Sequence, residues 1–256
     1  MTLLIVLFLV ALGGSLLTFF SGFGLGTLLL PLFVMICGPF EGVFAVAVVH
    51  LCNSILKCAL TWKDISARVF WRFAPGAFAG ALLGSWLLRE ISGMQVAYTH
   101  SLFGETRVVY TISLVIGGLM VLFALLELFW EDKMPALAER YQFAGGTLSG
   151  FFGGLSGQQG ALRTMFLLRS GLSKEAFVAT GIACALVVDL TRIPLYLRSL
   201  PPGSGTPYQA MFVAMAGAVL GSVGGWYLLR KRTLKTVKYI AGACLVLFGL
   251  AMMLGF

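Results

Sequence analysis

Long apolar blocks alternate along the chain with short breaks that are charged or rich in proline and glycine. The first set of blocks covers 2–36 with a glycine break near 22–26, then 40–60, 69–89 and 107–130. A second set covers 142–170 with a break near 153–157, then 176–197, 208–229 and 235–255. A helix needs about 20 predominantly apolar residues to cross the hydrocarbon of a bilayer. The blocks therefore predict membrane helices, with little chain left over for a soluble domain.

The two sets correspond. Ser21-Gly22-Phe23 recurs as Ser149-Gly150-Phe151, at an offset of 128. Gly76, Gly80 and Gly84 followed by Leu87-Leu88-Arg89 recur as Gly217, Gly221 and Gly225 followed by Leu228-Leu229-Arg230, all at an ungapped offset of 141. The difference in offset is taken up by a Pro- and Gly-rich loop, Ser199 to Pro207, and insertions of this kind belong in loops. Glycines four apart share one helix face, where another backbone can approach closely. The pattern predicts an all-α integral membrane protein of two repeats, 1–133 and 134–256. Each repeat would hold one glycine-broken re-entrant hairpin and three transmembrane helices.

Composition fits a lipid environment: 59% of the 256 residues are hydrophobic and 11% charged. The net charge of +8 lies mainly at the edges of apolar blocks, which marks orientation in the membrane and not a nucleic-acid surface. Met1 to Gly14 lack a basic leader and run into further apolar sequence, so the N-terminus is expected to stay in the mature protein. Cys37, Cys52, Cys58, Cys184 and Cys244 have no metal or redox spacing and are read as small packing residues.

The same charges predict inverted halves. Basic residues precede the Gly-xxx-Gly helix in the first half, at Lys57, Lys63, Arg68 and Arg72, and follow it in the second, at Arg230, Lys231, Arg232, Lys235 and Lys238. Opposite orientation requires an odd number of crossings per half, so one of the four blocks in each must enter and leave on the same side. With the glycine-broken blocks as hairpins, 14 of the 18 Lys and Arg fall on the cytoplasmic side. With eight simple crossings only 8 do. Both termini are then expected outside the cytoplasm.

Inverted repeats place substrate near the bilayer midplane, at interrupted helices. The second arm of each hairpin is expected to begin at its tip, near Gly24 in the first half and near Ser156 in the second. There, unpaired amides and the positive helix end favour an anion. Gly24, Gly26 and Thr27 are the candidates at the first tip. At the second they are Ser156, Gly157, Gln158 and Gln159, with Arg163 four residues beyond Gln159 on the same face. Hydroxyl and amide donors beside a guanidinium suit an oxyanion; alternatively, the glycines only permit the turn and Arg163 reaches the headgroups. His50 and Asn53, three apart in an apolar block, either line the cavity or bond a neighbouring carbonyl. Asp189, Thr191 and Arg192 form a second polar knot, either an internal ion pair or a relay for proton or substrate. Lys57 sits at about the position matching Asp189 in the other half, which allows a pair across the repeats.

At these residues the chain resembles the TauE/SafE family of sulfite and organosulfonate exporters. The likeness lies in Ser21 to Pro31, its partner Ser149 to Arg163, and Thr180-Gly181 leading to Asp189-Leu190-Thr191-Arg192-Ile193-Pro194-Leu195-Tyr196. The resemblance implies a transporter in a bacterial-type plasma (inner) membrane, with sulfite, thiosulfate or organosulfonates as cargo. The expected partners are a small anion and the lipid bilayer, with no cofactor, metal or nucleic acid; oligomeric state is left open. The competing reading is a membrane-embedded enzyme or assembly factor. Against it, the chain shows no Ser-His-Asp set, metal-ligand cluster or paired carboxylates at one depth.

Overall fold

The computed structural model describes residues 1–17, 25–93, 95–102, 105–130, 139–168, 170–200, 207–228 and 235–256. Of the first predicted break, residues 22–24, including Gly24, lie outside these residues, as does the boundary between the two predicted repeats; Leu25 and Gly26 are already helical. The first broken block gives α1 (Thr2–Leu17) and α2 (Leu25–Cys37). Helices α3 (Pro39–Thr61) and α4 (Ala67–Ile91) follow. The loop after α4 folds into an antiparallel hairpin of β1 (Val96–Leu102) and β2 (Glu105–Tyr110). Then comes α5 (Thr111–Leu125), extended by a wider π-type turn at Leu126–Trp130.

The second set gives α6 (Gln142–Ser156), α7 (Gly160–Leu167), α8 (Lys174–Ser199), α9 (Tyr208–Leu228) and α10 (Lys235–Met253). Among the described residues three helical stretches, Pro39–Asp64, Lys174–Ser199 and Tyr208–Tyr227, are long and apolar enough to cross a membrane. With large apolar side chains such as Leu9, Phe78, Leu83, Leu190, Phe212 and Leu220 exposed on helix surfaces, the chain is a multi-pass membrane protein.

Two expectations need correction. Residues 107–110 pair with β1 instead of opening a helix, so α5 starts at Thr111. The second break lies at 157–159, not 153–157, and the second arm begins at Gly160 and not Ser156. Gly153 and Gly154 are helical because they serve packing: a Cβ on Gly154 would lie 2.5 Å from the Ala81 carbonyl oxygen. The turn is made by Gly157, whose φ of 81° is the left-handed conformation that glycine adopts without penalty.

Packing is reciprocal between the two sets. The glycine face of α4 lies on α6 and that of α9 on α1. A Cβ on Gly80 would sit 2.0 Å from the Thr147 carbonyl oxygen, and one on Gly221 would sit 2.1 Å from that of Leu12. Helices α5 and α10 meet through Gly117 and Gly249, each of which would drive a Cβ onto the other's carbonyl. Helices α3 and α8 pack against each other and, in matching fashion, α3 against α9 and α8 against α4. The main apolar core gathers Leu7, Leu29, Phe33, Val49, Ile116 and Leu245 from both sets.

Candidate functional site

The second break is held by one face of α8. Helix α6 ends in a left-handed cap in which the Gly157 N–H donates to the Gly153 carbonyl at 2.9 Å. That carbonyl also accepts from Arg192 Nη1 at 2.9 Å, and the next one, of Gly154, accepts from the Tyr196 hydroxyl. Carbonyls of a helix's last turn lack partners within the helix, and a cation there also meets the negative end of the dipole. Arg192 and Tyr196, both about 1% exposed, supply what the break leaves open.

Arg192 is itself balanced by Asp189, three residues earlier. Its Nε and Nη2 donate to Asp189 Oδ1 at 3.0 and 2.7 Å. The other carboxylate oxygen, Oδ2, lies 2.6 Å from His50 Nδ1 on α3. A fully buried carboxylate is tolerable only when its lone pairs are met in this way.

The two broken blocks approach one another at this point. A Cβ on Gly26, in the first turn of α2, would lie 3.8 Å from His50 Cδ2 and 4.0 Å from the Gly157 carbonyl oxygen. Thr27 is buried beside it in the same turn. Beyond the break, Gln158 and Gln159 are 3% and 4% exposed, and neither side-chain amide has a hydrogen-bond partner among the described residues. The main-chain carbonyl of Gln159 accepts from Ser149 Oγ at 3.2 Å, which fixes the backbone without using the amide. Arg163, one turn into α7, buries Nη1 without a partner. Its Nε would lie 3.4 Å from a Cβ on Gly181 of α8. Lys57, 7% exposed on α3, is close enough to Arg163 to be repelled by it.

Next to the second break the chain thus buries the Gln158 and Gln159 amides and, one turn on, the Arg163 guanidinium, donor groups of a kind that suit an anion. A family model described as sulfite exporter TauE/SafE matches residues 7–252. The chain belongs to the TauE/SafE family. Comparison with curated proteins and with solved structures finds no match. TauE/SafE proteins are transporters and not enzymes, which sets aside the embedded-enzyme reading and gives this chain a general role in anion transport.

The TauE/SafE chain does not gather every residue singled out from the sequence. Asn53 is drawn away from His50: its Oδ1 accepts from Ser15 of α1 at 3.1 Å and from Ser222 of α9 at 2.6 Å. The three make a buried polar link among α1, α3 and α9, separate from the break. Thr191 donates back to the Val187 carbonyl and Ser156 to that of Phe152, so both hydroxyls serve their own helices. Asp189 reaches from α8 to His50 on α3. Ser15 and Ser222 were not singled out, because a lone serine in an apolar block carries no signal of its distant partner. Tyr196 had one: it falls four residues after Arg192 and seven after Asp189, on the same helix face.

Proposed function

We propose that this chain is a secondary transporter of a small sulfur-containing anion, namely sulfite, thiosulfate or an organosulfonate. The anion binds between the two breaks at the membrane midplane. The observation that carries this reading is that the buried amides of Gln158 and Gln159, and Nη1 of Arg163 one helical turn further on, have no hydrogen-bond partner among the described residues. An unmet buried amide costs about 1–3 kcal/mol, and anion oxygens held by both N–H groups and the guanidinium would remove that cost for the donors. Gly26, Thr27 and Gly157 contribute backbone close to the same point, with Gly24 as a further candidate from the sequence. Among thiosulfate, sulfite, methanesulfonate and acetate added to the detergent-solubilised protein, the carried anions are expected to raise the unfolding temperature, because a ligand of the folded state stabilises it. No shift with any sulfur oxyanion would remove the reading.

The architecture we propose is two inverted repeats, 1–133 and 134–256, each with a re-entrant hairpin, in a bacterial-type inner membrane with both termini outside the cytoplasm. Reciprocal packing supports it, as do the arm lengths. Helix α2 has 13 residues and α7 only 8, about 20 and 12 Å at 1.5 Å per residue, so neither crosses the roughly 30 Å of hydrocarbon alone. The residues flanking α6 and α7 should then share one side. In a background without native cysteines, R140C and K174C are expected to react with an impermeant maleimide from the cytoplasmic face only. Labelling from opposite faces would mean that the α6–α7 segment passes through.

A further inference from the structure

The contacts of His50 are unlike those of the other groups around the break. Its Nδ1 is tied to Asp189 Oδ2 at 2.6 Å, with Ser54 Oγ at 3.4 Å from the same nitrogen. Asp189 cannot turn away, since its other oxygen is held by two N–H groups of Arg192, and Arg192 in turn is fixed on the Gly153 carbonyl. The ring is therefore oriented from behind by a carboxylate that is fixed in place. Its opposite edge faces the broken helices: Cδ2, the carbon bonded to Nε2, lies 3.8 Å from where a Cβ on Gly26 would be. The side chain keeps 18% of its surface accessible, whereas that of Asp189 is fully buried.

Histidine is the side chain whose charge changes within the physiological range. With Nδ1–H donated to Asp189, a proton arriving at the ring is carried on Nε2. Neutral His50 then presents a lone pair towards the breaks, and protonated His50 presents an N–H donor and a positive charge. The charged and titratable groups around it are few. Helix α8 brings Asp189 and Arg192, with the Tyr196 phenol beyond them; α7 brings Arg163, and α3 itself brings Lys57. Helices α2, α5 and α9 contain no Asp, Glu, Lys, Arg or His, and the short turn after α3 carries Lys63 and Asp64 at the far end of that helix.

We propose that His50 is the proton-coupling residue of this transporter: Nε2 takes up a proton when the anion binds between the breaks and gives it up when the anion leaves, so that proton and anion travel in the same direction. The proposal rests on the reading of the site given above. Asp189 and Arg192 act as positioning residues, holding the ring without leaving the ionised state, and no other co-reactant is needed. Binding of the anion favours the imidazolium because it places negative charge beside the new N–H. By the same linkage, protonation favours the anion.

The test uses thiosulfate, and methanesulfonate in parallel, because both stay fully ionised near neutral pH and cannot themselves carry the proton. Calorimetric titration of the purified full chain in buffers of different ionisation enthalpy gives affinity and proton uptake together between pH 6 and 8. In the unaltered protein, affinity is expected to fall with rising pH, approaching tenfold per pH unit. Proton uptake should rise over the same interval towards one per anion. In H50Q both dependences should flatten, and in proteoliposomes an imposed pH gradient should no longer accelerate anion uptake. A pH-independent affinity with no proton uptake in the unaltered protein overturns the proposal, and that measurement needs no variant to fold. The same dependence persisting in H50Q overturns it too, moving the proton to another group, Lys57 first. If neither anion binds the unaltered protein, the reading of the site fails first and the coupling falls with it.

Discussion

Arg163→Ala, and separately Gln158→Ala, should reduce anion flux in proteoliposomes to background while the amount of protein in the membrane is unchanged. Arg163 brings charge close to the break, and its buried Nη1 has no partner among the described residues. A hydrogen bond involving an ionised group contributes about 1.5–3 kcal/mol, and each 1.4 kcal/mol is a factor of ten in binding. Losing it should thus cost between about ten- and a hundredfold in affinity. Gln158 is neutral, but its amide is as deeply buried as any at the site, and alanine leaves a gap where the directional donor had been. Arg163→Lys should recover only part of the flux, because an ammonium keeps the charge and loses the planar fork. Flux equal to that of the unaltered protein in both alanine variants would show that the anion passes elsewhere.

The second large effect concerns stability. Gly80→Ala places a methyl 2.0 Å from the Thr147 carbonyl oxygen, and Gly221→Ala places one 2.1 Å from that of Leu12. The obstacle in both cases is backbone, which cannot rotate aside as a side chain does, so helices α4 and α6, or α9 and α1, must separate. Overpacking of this kind costs about 1–3 kcal/mol, and both variants belong at the upper end. Gly118→Ala is the control, since nothing lies within 4 Å of its added carbon. Unfolding temperatures in detergent should drop clearly for the first two and stay level for the third. Equal temperatures for all three would mean that the glycine faces do not hold the helices together.

Helices were the most legible part of the chain, because in lipid an apolar block of sufficient length has few alternatives to a helix. The recurrence of Gly76, Gly80 and Gly84 as Gly217, Gly221 and Gly225 showed which helices correspond. It could not show that each stripe packs on the other set, since spacing within one helix says nothing about its neighbour. The β-hairpin was missed although its signals were present: Val96 to Leu102 and Glu105 to Tyr110 are rich in β-branched and aromatic residues. Val108-Val109-Tyr110 read equally well as the opening of an apolar helix. The second break was misplaced because a Gly-Gly pair suggests a turn, whereas Gly153 and Gly154 are needed for close packing and Gly157 makes the turn.

At the site, Asp189 and Arg192 were close in sequence and their pairing was open to view. The link from His50 to Asp189 spans 139 residues and two helices. Only the folded chain brings them together, just as it takes Asn53 to Ser15 and Ser222. The i, i+4 spacing of Gln159 and Arg163 was visible in the sequence; that the glutamine amides lack partners among the described residues was not.

The crossed pairing of the glycine faces bears on how the protein is made. Helix α1 is synthesised well before the surface it rests on, α9, which follows some two hundred residues later in the chain. During that interval α1 lacks the face it finally packs on, although α2 already has α3 beside it, and long-range contacts of this kind form late. Helix α1 must wait in the bilayer, loosely held, until α9 arrives. Severing the gene at its midpoint would therefore yield two pieces that mature only in each other's company.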